Sequence, residues 1–380
     1  MKHNSHNISY KFCHDPVEFN KFTDKKLLQY CLGGTLYMPG TQDFSDKLLN
    51  KALPDLKSMV MCFEDAISEE DVSKAEVNVL SHLDILASAI DEKKIKASDI
   101  PLIFLRVRSL DQFYSFSNRL TKCQANLLTG FVFPKFYSDN AHAYLEHLKL
   151  LKERFEIMLY AMPILEGTAI AYRESRVREL DKLKLILDPY QQFILNIRIG
   201  GTDFSSLFGV RRGISSSVYD ILPVRDTIAD ILNFFNRMED SYTVSAPVWE
   251  YFLAYMQDDI EQYIGNNMHR SLLTKELIVN EAIDGLLREV LQDKTNGMVG
   301  KTVIHPSHLR FVNAMQAVTL EEFEDATQIL QASGGVLKSG VGNKMNEVGP
   351  HRNWAKRIEL RAKAYGVINN ESDYLNLFLS

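Results

Sequence analysis

The stretch VMCFEDAI, residues 60–67, joins an apolar run to two adjacent carboxylates. Met59 to Phe63 have the composition of a strand that is buried on both faces, as in a parallel sheet. Glu64 and Asp65 follow directly, and burying their charges in a core would be costly. The stretch therefore predicts a buried strand whose carboxyl end opens onto a polar site.

Seven other short apolar segments share this character, and segments with helical spacing separate them. The predicted strands cover residues 33–39, 58–64, 101–107, 130–135, 157–166, 193–199, 241–247 and 301–306. Helical spacing is clearest in residues 72–90 and 141–155. Eight strands that alternate with helices predict an α/β protein with a parallel sheet closed into a (β/α)₈ TIM barrel.

Three regions are predicted along the chain. Residues 1–31 form a polar N-terminal extension that ends in a short helix, and residues 32–310 form the barrel. The connection between strands seven and eight is longer than one helix requires, so an insertion is expected near residues 256–285. Residues 311–380 form a C-terminal helical segment, in which residues 311–333 are predicted to be helical.

The composition limits the classes of function. With 46% hydrophobic and 24% charged residues among 380, the chain has the composition of a soluble globular protein. The net charge is −6 and there is no long basic run, so the sequence does not support nucleic-acid binding. No apolar window is suited to a membrane span, and the N-terminus lacks the apolar core of a secretory signal. The four cysteines form no CxxC pair, so a reduced, cytoplasmic protein is expected.

Charged or ionisable residues end six of the eight predicted strands. In a (β/α)₈ barrel the chemistry is found at the carboxyl ends of the strands. The residues at these ends are Glu64, Asp65, Arg106, Arg108, Lys135, Glu166, Asp203 and His305. A single charged strand end would mean little, because surface loops also carry charges, but the repetition predicts a polar site.

Glu166 and Asp203 follow successive strands, so their carboxylates are expected to be neighbours. Two such groups repel each other unless they are protonated, hydrogen-bonded or bridged by a cation. Mg²⁺ suits them, because it takes one or two protein carboxylates and fills its other positions with water and substrate oxygens. The structural alternative is a pair of carboxylates that cap helices or form ion pairs; Asp203 precedes the apolar residues of a helix.

Arg106 and Arg108 are two residues apart, which places them on one face of a strand. Their guanidinium groups suit a carboxylate or phosphate of the substrate. The alternative for Arg106 is an ion pair with Glu64 or Asp65. Lys135 could form a Schiff base, but the neighbouring metal carboxylates favour a salt bridge. For His305 a packed, hydrogen-bonded ring is expected rather than a catalytic one.

Seven short motifs carry a resemblance to a known family: LYMPG (36–40), FEDAI (63–67), LRVR (105–108), FVFPK (131–135), PILEG (163–167), GGTDFSSLFG (200–209) and GKTVIHPSHL (300–309). Through this ordered set, residues 33–365 resemble the citrate lyase β-subunit-like group of the HpcH/HpaI aldolase superfamily. Its members are Mg²⁺-dependent (β/α)₈ carbon–carbon lyases, and the chain looks like a divergent branch.

The resemblance implies a role for each matching residue. Glu166 and Asp203 would be the magnesium ligands, and Arg106 would bind the carboxylate of a 2-oxo acid. Glu64 and Asp65 would support Arg106 and the waters on the metal, and these three residues are the candidate catalytic groups at the strand ends.

The segment GNKMNE (342–347) resembles the family's C-terminal turn. In related lyases that turn ends in an aspartate that reaches the active site of a neighbouring subunit. Glu347 occupies this position here, which implies an acid/base role for Glu347 and a homo-oligomeric protein.

The departures from the family pattern concern the substrate. Arginines of the family are replaced at residues 33–34 and 41–42, an acidic residue is replaced by Thr202, and Arg108 stands where an asparagine is usual. The missing arginines weaken the case for a coenzyme A thioester. Arg108, together with Lys135, is then a candidate to bind a further anionic group of the substrate.

The predicted function is an Mg²⁺-dependent carbon–carbon lyase or aldolase. It would cleave or form a β-hydroxy acyl compound, citryl- or malyl-like, through a 2-oxo acid held on the metal and an enolate. Two alternatives stay open at this point. One is an aldolase that acts on a free or phosphorylated acid, and the other is a barrel without catalysis that binds an anionic metabolite or a protein partner.

Overall fold

Eight parallel strands form the centre of the computed structural model, which describes residues 1–6, 10–240, 242–252, 279–340, 342 and 344–378. They are β1 (Gly34–Pro39), β2 (Ser58–Cys62), β3 (Leu102–Arg106), β4 (Leu128–Phe133), β5 (Tyr160–Leu165), β6 (Ile197–Ile199), β7 (Val244–Ser245) and β8 (Lys301–Val303). Neighbouring strands follow the order β7-β6-β5-β4-β3-β2-β1-β8. A parallel bridge between Ala246 and Lys301 links β7 to β8. The predicted (β/α)₈ barrel is confirmed.

The strands are buried on both faces. Every residue of β2, β3, β4 and β5 is buried, as expected for a parallel sheet that has helices outside and side chains in its interior. Strands β2 and β3 pair in parallel, and Cys62 lies opposite Arg106. The carboxyl ends of the strands therefore lie together at one end of the barrel, called the barrel mouth below.

Helices alternate with the barrel strands and continue beyond them. They are Lys25–Leu28, Ser45–Leu49, Val72–Asp91, Leu110–Arg119, Lys122–Ala125, Ala141–Phe155, Thr168–Ala171, Arg173–Leu187, Gly201–Leu207, Leu222–Phe235, Glu281–Thr295, His308–Met315, Leu320–Gln331, Val348–Tyr365 and Asp373–Phe378. Short 3₁₀ helices occur at Ala97–Asp99, Asp188–Phe193 and Val218–Asp220. The helices predicted at residues 72–90 and 141–155 are both present.

Residues 311–333, predicted to be helical, form parts of two helices with a short strand between them. The chain forms His308–Met315, a short strand β9 (Val318–Thr319), and then Leu320–Gln331. Thr319 caps the second helix, since its side chain accepts from the Glu322 backbone and the Glu322 side chain accepts from the Thr319 backbone. β9 also pairs with a distant strand, Val367–Ile368, a contact that local spacing cannot predict.

The two ends of the chain pack against each other. The ring of His3 is fully buried and lies 4.3 Å from the ring of Tyr365. A hairpin of β10 (Val336–Lys338) and β11 (Met345–Glu347) precedes the helix Val348–Tyr365, and the final strand β12 (Val367–Ile368) follows it.

The predicted insertion near residues 256–285 falls largely outside the described residues, which resume at residue 279. The helix Glu281–Thr295 then leads toward β8. Among the described residues, no helix combines the length and the apolar character needed to cross a membrane.

Candidate active site

Arg106 joins the two carboxylates that follow β2. Its Nη2 donates to Asp65 Oδ2 at 2.9 Å and forms an ion pair with Glu64. Glu64 is only 3% exposed, whereas the Asp65 side chain is 56% exposed. The two neighbours therefore differ in environment, since Glu64 belongs to the interior of the mouth and Asp65 to its rim.

Arg106 also faces the end of β5, because its Nη2 lies 3.7 Å from Glu166 Oε1. Burial disfavours the charged guanidinium, but the negative groups around it, among them Glu64 and Glu166, raise its pKa above the usual value. Its Nε is buried and has no hydrogen-bond partner among the described residues. Arg106 therefore stays positively charged, and its Nε–H is available as a hydrogen-bond donor.

Lys135 binds the same two glutamates with different groups. Its ammonium donates to Glu64 Oε1 at 2.6 Å, and its backbone N–H donates to Glu166 Oε1 at 2.8 Å. The hydrogen bond to Glu64 raises the pKa of Lys135. Its φ of 46° is left-handed, a conformation seldom adopted outside glycine. The engaged, charged ammonium agrees with a salt bridge rather than a Schiff base.

Glu166 and Asp203 face the same space above Gly200. A methyl group placed on Gly200 would lie 2.5 Å from Glu166 Oε2 and 3.1 Å from Asp203 Oδ2. Leu165 pairs with Ile199 across β5 and β6, which sets the two strand ends side by side. The absence of a side chain at Gly200 leaves a cradle between two carboxylate oxygens.

The carboxylate of Glu166 lies in an unfavourable environment for its charge. Burial raises its pKa to about 8; Asp203 also raises it, and Arg106 opposes the shift. Glu166 is 1% exposed, while Asp203 is partly exposed in the first turn of the helix Gly201–Leu207. A cation in the cradle would favour the charged form of Glu166.

The cradle fits a hard divalent cation in its donor chemistry. It offers two carboxylate oxygens and room for other ligands, which is the set that Mg²⁺ takes when water and substrate complete its coordination. Among the described residues, no group of three or more His, Cys, Asp or Glu side chains converges as a metal site. The donors therefore match magnesium better than a metal that requires an all-protein site.

Arg108 contacts the loop that follows β2. Its Nη1 donates to the backbone oxygens of Phe63 at 3.1 Å and Glu64 at 3.3 Å. Arg108 therefore holds the loop that presents Glu64 and Asp65, and its predicted contact with a substrate stays a prediction.

His305 and Glu347 lie outside this cluster of side chains. The His305 ring stacks on Phe252 with centroids 4.1 Å apart, and its Nδ1 lies 2.7 Å from Ser307 Oγ. Glu347 ends β11 and pairs with Val336 in the exposed hairpin of the C-terminal segment. Within one chain, the described contacts of Glu347 remain in that segment.

Two polar residues that sequence reasoning missed lie near the cluster. The Tyr137 hydroxyl covers Gly167, where an added methyl group would lie 1.8 Å from it. Burial raises the pKa of Tyr137, and Glu166 and Asp203 contribute to the rise. Arg198 lies inside β6 and is 1% exposed. An arginine within the apolar segment FILNIRI was the one signal for it in the sequence.

Residues 26–367 match the model of a family of carbon–carbon bond lyases with the TIM-barrel fold. The chain belongs to this family. Among curated proteins, none matches the chain in sequence.

Solved structures of similar fold include two bacterial proteins. CitE from Mycobacterium tuberculosis, in complex with magnesium, acetoacetate and coenzyme A, is 15% identical with a TM-score of 0.50; the match covers 88% of this chain and 99% of CitE. RipC from Yersinia pestis is 15% identical with a TM-score of 0.46, covering 76% of this chain and 95% of RipC. At this identity, the likeness to CitE supports the barrel fold alone.

Proposed function

We propose that the protein is a magnesium-dependent carbon–carbon lyase or aldolase that acts on a β-hydroxy acyl compound, citryl- or malyl-like. The observation that carries this proposal is the pair of oxygens from Glu166 and Asp203 that flank the space above Gly200. Arg106 lies beside that space. Membership of a carbon–carbon lyase family gives the reaction class.

Glu166 and Asp203 would hold the ion. When bound, magnesium would supply Lewis-acid polarisation of a substrate carbonyl. Lys135 fixes Glu166 from one side, because its backbone N–H occupies Oε1 and leaves Oε2 facing the cradle. CitE, which shares the barrel fold, was solved with magnesium, and the motif resemblance assigns the same two carboxylates.

Arg106 would bind the carboxylate of the 2-oxo acid through its unpartnered Nε. Glu64 and Asp65 hold the guanidinium in place from the opposite side, so that it need not reorganise when negative charge develops on the substrate. These two residues act by positioning Arg106 and Lys135. The same arrangement explains why Glu64 is buried although it follows a strand directly.

In the cleavage direction, the β-hydroxyl proton passes to a base and the hydroxyl carbon becomes the carbonyl of a 2-oxo acid. The electron pair of the breaking carbon–carbon bond stays with the acyl fragment, which leaves as an enolate and takes up a proton afterwards. Tyr137 is a suitable group to exchange a proton with the substrate, since its phenol lies beside both carboxylates.

A free acid, instead of a thioester, is the second candidate for the substrate. It is supported by residues 41–42, where the family resemblance implies an arginine and this chain has Thr41 and Gln42. Glu347 is exposed on its hairpin, so an acid/base role for it would require a second copy of the chain.

Calorimetric titration with Mg²⁺ tests the metal assignment. Glu166→Ala and Asp203→Ala are each expected to abolish Mg²⁺ binding that the unmodified protein shows. Glu179→Ala is the matched control, because Glu179 accepts from Ser138 outside the cradle. Unchanged Mg²⁺ affinity in both cradle variants would remove the assignment.

A further inference from the structure

Arg198 is a buried charge in the barrel interior without a carboxylate partner. Its Nη2 donates to Thr302 Oγ1 at 2.8 Å and its Nη1 to Thr35 Oγ1 at 3.4 Å. Its Nε has no hydrogen-bond partner among the described residues, and none of their carboxylates forms an ion pair with it. The guanidinium of Arg198 is thus surrounded by the hydroxyl groups of the two threonines and by the ring of Tyr37, which lies 5.6 Å away.

Three of the five buried arginines that the structure describes, Arg106, Arg176 and Arg212, pair with carboxylates, whereas Arg198 and Arg361 do not. Arg106 faces Glu64 and Asp65, and Arg176 binds Asp230 at 2.8 Å. A buried ion without a counter-ion is costly, and proteins normally pair it. Burial lowers the pKa of Arg198, with Tyr37 opposing the shift and Arg106 adding to it, yet a guanidinium remains charged at neutral pH.

Arg198 lies on the interior side of the cradle. Arg198 pairs with Ile164 across β5 and β6, two residues before Glu166 on one strand and two before Gly200 on the other, and Gly200 faces the oxygens of Glu166 and Asp203. Burial raises the pKa of Tyr37, and the positive charges of Arg198 and Arg106 oppose the rise. Tyr37 and Thr302 are partly exposed, which means that solvent reaches the barrel interior at this level.

We propose that Arg198 binds a second carboxylate of the substrate, which enters the barrel interior beside Tyr37 and Thr302. The inference rests on the proposed function and narrows its substrate class. The oxo acid fragment would carry two carboxylates, one held by Arg106 at the mouth and the other by Arg198 inside. The unpaired guanidinium and its free Nε supply the charge and the donor for that second group.

The competing structural explanation is that Arg198 only ties β6 to β1 and β8 through the two threonines. Oxaloacetate and pyruvate separate these explanations, because they share a 2-oxo acid head and differ by one carboxylate. Their affinities are measured by calorimetry at saturating Mg²⁺, with freshly dissolved oxaloacetate. Unmodified protein is compared with Arg198→Met and Arg198→Lys, and Arg176→Met serves as the matched loss of a buried arginine outside the mouth.

The proposal predicts that Arg198→Met loses at least tenfold in oxaloacetate affinity and less than threefold in pyruvate affinity. Arg198→Lys should recover part of the loss, and Arg176→Met should leave the ratio of the two affinities unchanged. An oxaloacetate-to-pyruvate ratio in Arg198→Met equal to that of the unmodified protein would overturn the role of Arg198, even if the variant is less stable.

Failure of the proposed function gives a separate result. If the unmodified protein binds neither oxo acid with Mg²⁺, the lyase proposal fails, and malonate without Mg²⁺ then tests the interior site by itself. A rise in melting temperature with malonate that Arg176→Met keeps and Arg198→Met loses would support a carboxylate site at Arg198. Equal rises in both variants, or none in the unmodified protein, would overturn it.

Discussion

Replacing Gly200 with alanine tests the metal cradle without touching a proposed ligand. The backbone φ of Gly200 is −84°, which alanine adopts readily, so the added methyl group is the main perturbation. It would lie 2.5 Å from both Cβ and Oε2 of Glu166. Ordinary contact begins near 3.4 Å, so the Glu166 side chain must shift by about 0.9 Å.

This shift is large for a magnesium ligand, because Mg²⁺ requires near-ideal octahedral geometry at roughly 2.0–2.1 Å. We expect Gly200→Ala to weaken Mg²⁺ binding by about tenfold to a hundredfold, or about 1.4–2.8 kcal/mol. Overpacking should also lower the free energy of unfolding by about 1–3 kcal/mol. Calorimetric titration with Mg²⁺ and urea unfolding measure the two effects.

Gly213→Ala is the matched control, since a methyl group there would meet nothing within 4 Å. It should leave Mg²⁺ affinity unchanged. The decisive result is the affinity of Gly200→Ala once circular dichroism shows that it is folded. If folded Gly200→Ala binds Mg²⁺ as tightly as Gly213→Ala, the ion does not lie between Glu166 and Asp203, and the reasoning from the cradle is refuted.

Three further substitutions probe neighbouring contacts. Arg106→Lys loses the unpartnered Nε, so pyruvate affinity at saturating Mg²⁺ should fall about tenfold, as for other charged hydrogen bonds; an unchanged calorimetric affinity would contradict the assigned role. Tyr137→Phe should leave Mg²⁺ affinity intact and weaken oxo acid binding by about threefold to tenfold, the worth of one neutral hydrogen bond. Lys301 binds Glu289 and Asp293, each at 2.8 Å, in the buried core. Lys301→Met should therefore cost about 3–5 kcal/mol of unfolding free energy in urea, because it leaves the buried Asp293 without a cation, while Glu289 keeps its ion pair with Arg212; an unchanged midpoint would argue against that network.

The sequence predicted the barrel well because its signal is repeated eight times. Each strand is short and apolar, and each is followed by a helical pattern, so an error at one boundary does not alter the architecture. The neighbourhood of Glu166 and Asp203 follows from the same regularity, since consecutive strands of the barrel pair as Leu165 and Ile199 do. These features depend on local pattern and on topology alone.

Other features depend on the direction in which a side chain or a backbone group points, which a sequence pattern cannot give. An arginine inside a strand looks the same in sequence whether it faces the barrel interior or the surrounding helices, so Arg198 was missed. The hydrogen bonds of Arg108 to the backbone oxygens of Phe63 and Glu64 could not be predicted from its two-residue spacing to Arg106. The backbone at Lys135 is left-handed and directs its N–H toward Glu166. The sequence could not predict this conformation, because the residue is neither glycine nor asparagine.

The formal charges of the mouth connect the metal proposal with the substrate proposal. Four carboxylates, those of Glu64, Asp65, Glu166 and Asp203, face the two cations of Arg106 and Lys135. The cluster therefore has a formal charge of −2 when all four carboxylates are ionised, and burial, with Asp203 nearby, raises the pKa of Glu166 to about 8. One divalent cation would neutralise this charge of −2. Arg198 adds a positive charge to the barrel interior that no carboxylate of the described residues pairs with, and a substrate carboxylate placed beside it would neutralise that charge.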